Sequence, residues 1–312
     1  MSFERINSLA SKREPFLFIS DFEAKNIEVI PLNELESEDI EFTIDANYIV
    51  SEHPHRLRLR AIDFIEYKKK FDYVIEKIKS GETYLLNLTQ ETPLEKNLSL
   101  KEMYTLANAH YKLRYKDEFT CFSPETFIQI QGDTIATFPM KGTIDSSIKN
   151  AKEKILADEK EMAEHVMIVD LLRNDLSIVA KEVQVEKFRY ITKIDAGEKK
   201  LLQVSSKISA KLAQDWHEHL GDILKSLLPA GSISGTPKKS TLKIIKEIEG
   251  YERKFFSGVF GIYDGKSFDS GVMIRFIEKR EEKFFYKSGG GVTLDSSAEL
   301  EYQEMLDKIY LP

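Results

Sequence analysis

At 312 residues, with 42% hydrophobic and 31% charged residues and only 15 Gly and 9 Pro, the chain has an ordinary globular composition that excludes disordered, collagen-like and coiled-coil classes. A net charge of −7 from 52 acids and 45 bases gives no general attraction to a polyphosphate, so nucleic acid is not an expected partner. One cysteine, Cys121, excludes an internal disulfide or multi-thiolate zinc site; no run nears the roughly 18 apolar residues of a membrane span, and MSFERINSLASKREPF lacks a signal peptide's apolar block, so the expected location is cytoplasmic, with no membrane partner.

FLFISDF and NIEVIPL read as two strands at the edge of a sheet. From Ala61 to Lys79 the residues Phe64, Tyr67, Phe71, Val74, Ile75 and Ile78 recur at steps of three and four, which predicts an amphipathic helix ended by Gly81. TYLLNLTQ predicts a strand, SLKEMYTLANAHY a helix, and TFIQIQGDTIATF a hairpin turning at Gly132 and Asp133. Asn150 to Leu176 is almost free of breakers and predicts one long helix, growing apolar along AEHVMIVDLL. EVQVEKFRYITKI and LLQVSSKISAKL alternate like strands, WHEHLGDILKSLL has a helical period, and Pro237 opens a helix running to Glu249. Residues 255–292 predict three hairpin-linked strands, turning at Asp264–Gly265 and in KREEK, before a closing helix from Ser297 to Ile309. Strands that follow strands, without regular βαβ alternation, predict an α+β fold with largely antiparallel sheets in one domain spanning 1–312.

The common catalytic patterns GxSxG, HExxH and GxGxxG are missing. GSISGTPKKS fails the Walker spacing, because only three residues separate Gly231 from Gly235; its loop either presents free amides to an anion or is a plain tight turn. SGGGV, residues 288–292, offers backbone amides to a carboxylate or is simply a bulge or bend, and taken alone the second reading is favoured. Glu161/Glu164 and Glu301/Glu304 each put two carboxylates on one face of a predicted helix, although chance supplies roughly eight or nine such i, i+3 pairs in a chain this acidic. Glu164 adjoins an apolar run, where a carboxylate needs a partner or a cation; oxygen ligands select a hard ion such as magnesium. Lys141 sits in FPMKGT after a predicted strand, an ordinary solvated turn lysine unless a pocket desolvates it, lowers its pKa and frees it as nucleophile or base. Glu125 in SPETF precedes the same hairpin, so an acid and an amine meet at one mouth or form a surface ion pair. Cys121, with no nearby histidine, reads as a packing thiol.

SPETF, FPMKGT, DEKEMAEHVMIVDLLRNDL, GSISGTPK, SGGGV and EYQEMLDK, in that order, resemble the chorismate-utilising enzymes, most closely their aminodeoxychorismate synthase component I branch. The resemblance covers 81–312 and leaves 1–80 as a shortened amino-terminal portion. It implies one large α+β unit in which two extensive antiparallel sheets face each other with helices outside. It implies chorismate as substrate, with Mg2+ held by Glu164 and Glu304 and flanked by Glu161 and Glu301. A divalent cation would bridge a dicarboxylate to an acidic site. Arg275 in MIRF matches an arginine that takes a substrate carboxylate, Gly289 and Gly290 an amide nest, and Ser232, Ser234 and Gly235 the pocket lining. The lysine of FPMKGT matches the signature of the amination branch, where the anthranilate branch resembles PxAGT. Its implied role for Lys141 is attack on the ring, with Glu125 protonating the departing hydroxyl, before ammonia displaces the lysine to give 4-amino-4-deoxychorismate on the p-aminobenzoate and folate route. With no Cys/His amidotransferase signature in this chain, the resemblance implies a separate glutamine amidotransferase subunit as the ammonia source. Two departures stand out: Gln203 occupies a usual histidine position, and the loop reads GTPK for GAPK. No amino-terminal tryptophan-binding motif matches, so feedback by that amino acid is not expected. The alternatives are an anthranilate or isochorismate synthase of the same family, or a non-catalytic anion-binding protein on the same scaffold.

Overall fold

Two β-hairpins near opposite ends of the chain, residues 16–31 and 259–272, lie side by side in one sheet, so the architecture closes on itself from the start. A computed structural model describes residues 2–45, 57–95, 98–196 and 199–312. In chain order, helix α1 (Ser2–Ser11) is followed by β1 (Phe16–Ser20), β2 (Ile27–Pro31), β3 (Ile40–Ile44), α2 (Phe64–Lys79), β4 (Leu85–Leu94) and α3 (Leu100–Leu106). Five strands come next: β5 (Tyr111–Tyr115), β6 (Phe119–Ser123), β7 (Thr126–Gln131), β8 (Thr134–Thr137) and β9 (Met140–Asp145). Then come α4 (Ala151–Ala157), α5 (Glu159–Val179), β10 (Lys181–Ala196), β11 (Lys199–Lys211), α6 (Leu220–Leu227), α7 (Gly231–Ser234), β12 (Gly235–Thr236) and α8 (Lys238–Ile248). The chain ends with β13 (Val259–Tyr263), β14 (Phe268–Val272), β15 (Phe276–Arg280), β16 (Lys283–Val292) and α9 (Ala298–Asp307).

One sheet runs β10-β11-β8-β7-β14-β13-β1-β2, with β9 also on β11; the other runs β12-β4-β16-β15-β6-β5-β3, and the ladders of both are antiparallel. The predicted α+β fold of two large antiparallel sheets is therefore the observed one. All five residues of β1 are buried because the strand is covered on both faces. Phe16 and Phe18 pack with the helices, whereas Leu17 and Ile19 join Leu113, Cys121, Phe260 and Phe276 in the apolar layer between the sheets. Cys121 is wholly buried there, a packing thiol whose pKa burial pushes up.

Several expectations are revised. The single helix over 150–176 is two, because Asp158 ends α4 in an extended conformation and caps α5 by accepting from the Glu161 amide (2.9 Å). The three predicted strands of 255–292 are four: β14 and β15, read as one, belong to different sheets and are separated at Met273–Arg275. SLKEMYTLANAHY is helical only to Leu106, and Tyr111 already starts β5. Strands β3, β5 and β6 and helix α1 are further elements that the sequence reading does not include.

Candidate active site

The site forms where the chain passes from one sheet to the other, twice and side by side. β6 leads through Pro124 and Glu125 into β7 of the other sheet; β14 leads back through Met273, Ile274 and Arg275 into β15. Since β7 pairs with β14 and β6 with β15, the crossings are neighbours, joined by the Val272 amide donating to the Glu125 carbonyl (3.0 Å) and the Phe122 amide to that of Ile274 (3.3 Å). Proline cannot donate to a ladder, which ends β6 there. Arg275 adopts φ 51°, a left-handed conformation that costs a non-glycine residue on the order of 1 kcal/mol and turns the chain between the sheets.

Glu125 and Arg275 open into a cavity of ≈ 270 Å³ that Lys141, Gln203, Ser232, Glu304 and Lys308 also line. The acid and the amine expected at one mouth do share it. Burial raises the pKa of the Glu125 carboxyl; Ser232, whose hydroxyl donates to Oε1 (2.6 Å), and the cations Lys141, Lys308 and Arg275 hold it back only in part. Glu125 is thus equipped to carry a proton.

Lys141 lies in strand β9, not in a turn. β11 is long enough to pair with β8 and then with β9, and the chain steps between them at Phe138–Pro139, with the Ser206 amide donating to the Pro139 carbonyl (2.9 Å). Gly142 follows with φ 80°, and a Cβ there would lie 2.9 Å from Oε2 of Glu161. Lys141 Nζ is 3.2 Å from Oε2 of Glu164. Burial alone would depress the pKa of this ammonium, as the sequence reading anticipates for a pocket lysine; Glu164, with Glu304 and Glu161, outweighs that, and the net shift is upward.

The four glutamates come from two helices. Glu161 and Glu164 stand on α5; Glu301 and Glu304 stand on α9, which Ser297 caps and whose Tyr302 donates to the Ile62 carbonyl (2.7 Å). Burial and the neighbouring Glu164 push the Glu161 carboxyl up. Ser296 donates to Glu301 (2.8 Å), and Lys308 pairs with Glu304 (2.6 Å). Among the described residues no three His, Cys, Asp or Glu side chains form a closed metal cage. The donor set nevertheless fits magnesium, which takes one or two carboxylates and completes its shell with water and substrate oxygens. The absence of a side chain at Gly290 leaves room for two of these carboxylates: a Cβ there would meet Oε2 of Glu301 at 3.0 Å and Oε1 of Glu304 at 3.8 Å.

That observation reassigns the glycine run. Gly289, Gly290 and Gly291 form an unbroken ladder against Thr89, Leu88 and Asn87, without the left-handed residues that a nest of amides needs and without a bulge. A Cβ on Gly289 would strike the Leu88 carbonyl of β4 at 2.3 Å, one on Gly290 would meet the α9 carboxylates, and one on Gly291 would lie 3.4 Å from Lys141 Nζ. Ser232 and Gly235 line the cavity as expected, but Ser234 does not: its buried hydroxyl turns back to the Ala230 carbonyl (3.0 Å). A Cβ on Gly235 would strike the Leu85 carbonyl at 2.0 Å, so this loop packs directly on β4.

Two cations escape the motif reading. Lys308 donates to the Gly289 carbonyl (2.8 Å) and is one helical turn beyond Glu304, a spacing visible in EYQEMLDK. Its pKa is lowered, chiefly by burial and further by Arg275 and Lys141, with Glu304 opposing. Lys287, almost fully buried beside the glycines, pairs with Glu278 (3.0 Å), and burial lowers its pKa too. Gln203 lies in register with Thr143, both in the cavity wall.

The sequence model of the chorismate binding enzymes matches residues 14–311, and the chain belongs to that family. It is 45% identical over 313 residues to a PabA-like protein of Haemophilus influenzae, covering 99% of this chain and 95% of the relative. It is 32% identical over 260 residues to aminodeoxychorismate synthase component 1 of Salmonella typhimurium, covering 78% and 56%. Anthranilate synthase component I of Streptococcus pneumoniae superposes with a TM-score of 0.69 at 24% identity, over 91% of this chain and 69% of that one. No helix among the described residues is long and apolar enough to cross a membrane.

Proposed function

We propose that the protein is an aminodeoxychorismate synthase component I, which replaces the ring hydroxyl of chorismate with ammonia to give 4-amino-4-deoxychorismate for p-aminobenzoate and folate synthesis. One observation carries this reading: an amine, Lys141, and a buried carboxyl with raised pKa, Glu125, line one cavity beside two pairs of carboxylates. An anion-binding protein on the same scaffold needs no buried proton donor beside its cations.

Arg275, Lys308 and Lys287 supply positive charge for the two carboxylates of chorismate. Magnesium, held by Glu164 and Glu304 with Glu161 and Glu301 flanking, would offset the remaining repulsion and polarise the hydroxyl. Lys141, whose ammonium lies 3.2 Å from Glu164, first surrenders a proton to the carboxylate cluster, where Glu161, flanking the ion rather than holding it, is the acceptor left free. Its free amine then bonds to the ring carbon that neighbours the enolpyruvyl-bearing carbon on the side away from the hydroxyl; both ring double bonds shift by one position, and the hydroxyl leaves as water with the proton of Glu125. Ammonia attacks the carbon that the hydroxyl left, both double bonds shift back, Lys141 departs with its electron pair and takes back the proton it gave up, and the new ammonium gives a proton to the Glu125 carboxylate, restoring the acid. The ammonia comes from a separate glutamine amidotransferase subunit, with free ammonia as a substitute.

Incubation with chorismate, magnesium and ammonium, followed by chromatography, tests the reading. Aminodeoxychorismate is the expected product; anthranilate or isochorismate would reject the assignment.

A further inference from the structure

The loop that carries Ser232 is fastened at both ends by ion pairs, one partly and one fully buried, that do not reach the reacting groups. At one end Lys238 Nζ lies 3.1 Å from Oδ1 of Asp175 and donates to the Leu227 carbonyl (3.1 Å). At the other, Arg253 and Glu249 are almost completely buried: Nε and Nη2 of Arg253 donate to the two carboxylate oxygens (2.8 and 2.6 Å). The same guanidinium spans two further elements, donating from Nη1 to the Ile233 carbonyl (3.1 Å) and from Nη2 to the Asn87 carbonyl (2.6 Å). Glu249 is fixed in turn by the Thr89 amide (3.0 Å) and hydroxyl (2.6 Å) on β4. A buried charge pair bound to so many partners is a costly way to achieve stability alone, since apolar residues of equal volume often serve as well. Its geometry points elsewhere: it locks Ile233, and with it the adjacent Ser232, to β4.

We infer that Glu249 and Arg253 are positioning residues which, through Ile233, hold the Ser232 hydroxyl against Oε1 of Glu125 and so assign the transferable proton to Oε2. A protonated carboxyl has one carbonyl oxygen and one hydroxyl oxygen, and the oxygen that accepts from Ser232 is the carbonyl. The inference rests on the proposed role of Glu125 as the acid. Three other charged groups act on this carboxyl, Lys141 from β9, Arg275 from the sheet crossing and Lys308 beyond α9, and the variants below leave all three in place.

The test reads protonation of Glu125 directly, without substrate, as the infrared carboxyl band that Glu125→Gln abolishes in the full chain. Ser232→Ala removes a bond that favours the ionised form and should move the band's titration midpoint upward, by at least about tenfold in proton concentration. Arg253→Lys keeps the charge but cannot reach Ile233, Asn87 and Glu249 together, and should move the midpoint the same way. In the Ser232→Ala background it should add almost nothing. Thr89→Val, which removes one hydroxyl from Glu249 and no charge, should give a smaller shift of the same sign and serves if Arg253→Lys fails to fold. A folded Arg253→Lys or Thr89→Val protein with the parental midpoint, or shifts that add in the double variant, would overturn the inference. Because no turnover is needed, that result is separable from failure of the amination reading, which the product assay detects.

Discussion

Burial acts on Lys141 and Glu125 in opposite senses, and their neighbours decide what each can do. Glu125 meets desolvation with only partial compensation, so its pKa is raised; Lys141 meets it with carboxylates that outweigh it, so its pKa is raised as well. In the proposed reaction the amine would become a nucleophile only when positive charge nearby offsets those carboxylates, which would link the role of Lys141 to that of the glutamates. Lys141→Ala should therefore nearly abolish aminodeoxychorismate formation while leaving the thermal midpoint within a few degrees of the parent, checked by product chromatography beside a melting curve. Glu125→Gln removes the proton donor and should slow turnover by roughly 10²–10⁴-fold with little change in KM. A loss confined to KM would instead make Glu125 a binding group.

The sheet crossings show what an individual element contributes. The aromatic ladder Tyr115, Phe119 and Phe276, with Phe255 on its flank, ties β5, β6 and β15 together, with ring centroids 4.8 Å apart for Phe119 and Phe276 and 5.1 Å for Phe119 and Phe255. Phe119→Ala should destabilise by about 3–5 kcal/mol, read from urea unfolding, and a change below about 1 kcal/mol would mean that the layer collapses around the gap. What the sequence makes legible follows from how local each signal is. The hairpin at Gly132–Asp133, the helix from Phe64 and the ExxE pairs are set by neighbours in sequence, and all are present. The passage of β14 into β15 is not local: MIRF reads as continuous strand, and only pairing with β7 on one side and β6 on the other makes Arg275 a crossing. Lys141 looks like a turn residue for the same reason, since its strand exists only because β11 extends past β8. The glycine run reads by itself as a bulge or bend, and through the resemblance as a cradle of amides, because the α9 carboxylates that neighbour Gly290 come from a later segment.

At the scale of the molecule, the part that closes the fold is also pH-sensitive. His217 is buried between Trp216, on which its ring stacks, Tyr263, 2.7 Å from Nδ1, and Arg13 just after α1. Burial, aided by the Arg13 charge, lowers its pKa to about 4, against an ordinary value of 6.5. The unfolded chain then binds a proton that the folded chain refuses, so this contribution to stability is whole above pH 6.5 and is lost as pH falls toward 4. Glu125, Glu161 and Asp175, with raised pKa values, act in the other direction, their stabilisation fading as pH rises. The histidine's part is therefore read as a difference: between pH 6.5 and 4 the parent should lose more stability than His217→Gln, measured by urea unfolding across that range. Parallel pH profiles would show that His217 is not held neutral. Asn7, which donates to Asp222 (2.9 Å) and accepts from the Gly221 amide (2.6 Å), fastens the same corner by joining α1 to α6.

The central claim is a bond between Lys141 and the ring, and mass spectrometry of the protein given chorismate and magnesium but no ammonia tests it most directly. An adduct of chorismate less water is expected on the peptide containing Lys141, discharged when ammonium is added. Steady aminodeoxychorismate synthesis on adding ammonium, with no adduct on that peptide beforehand, would contradict it.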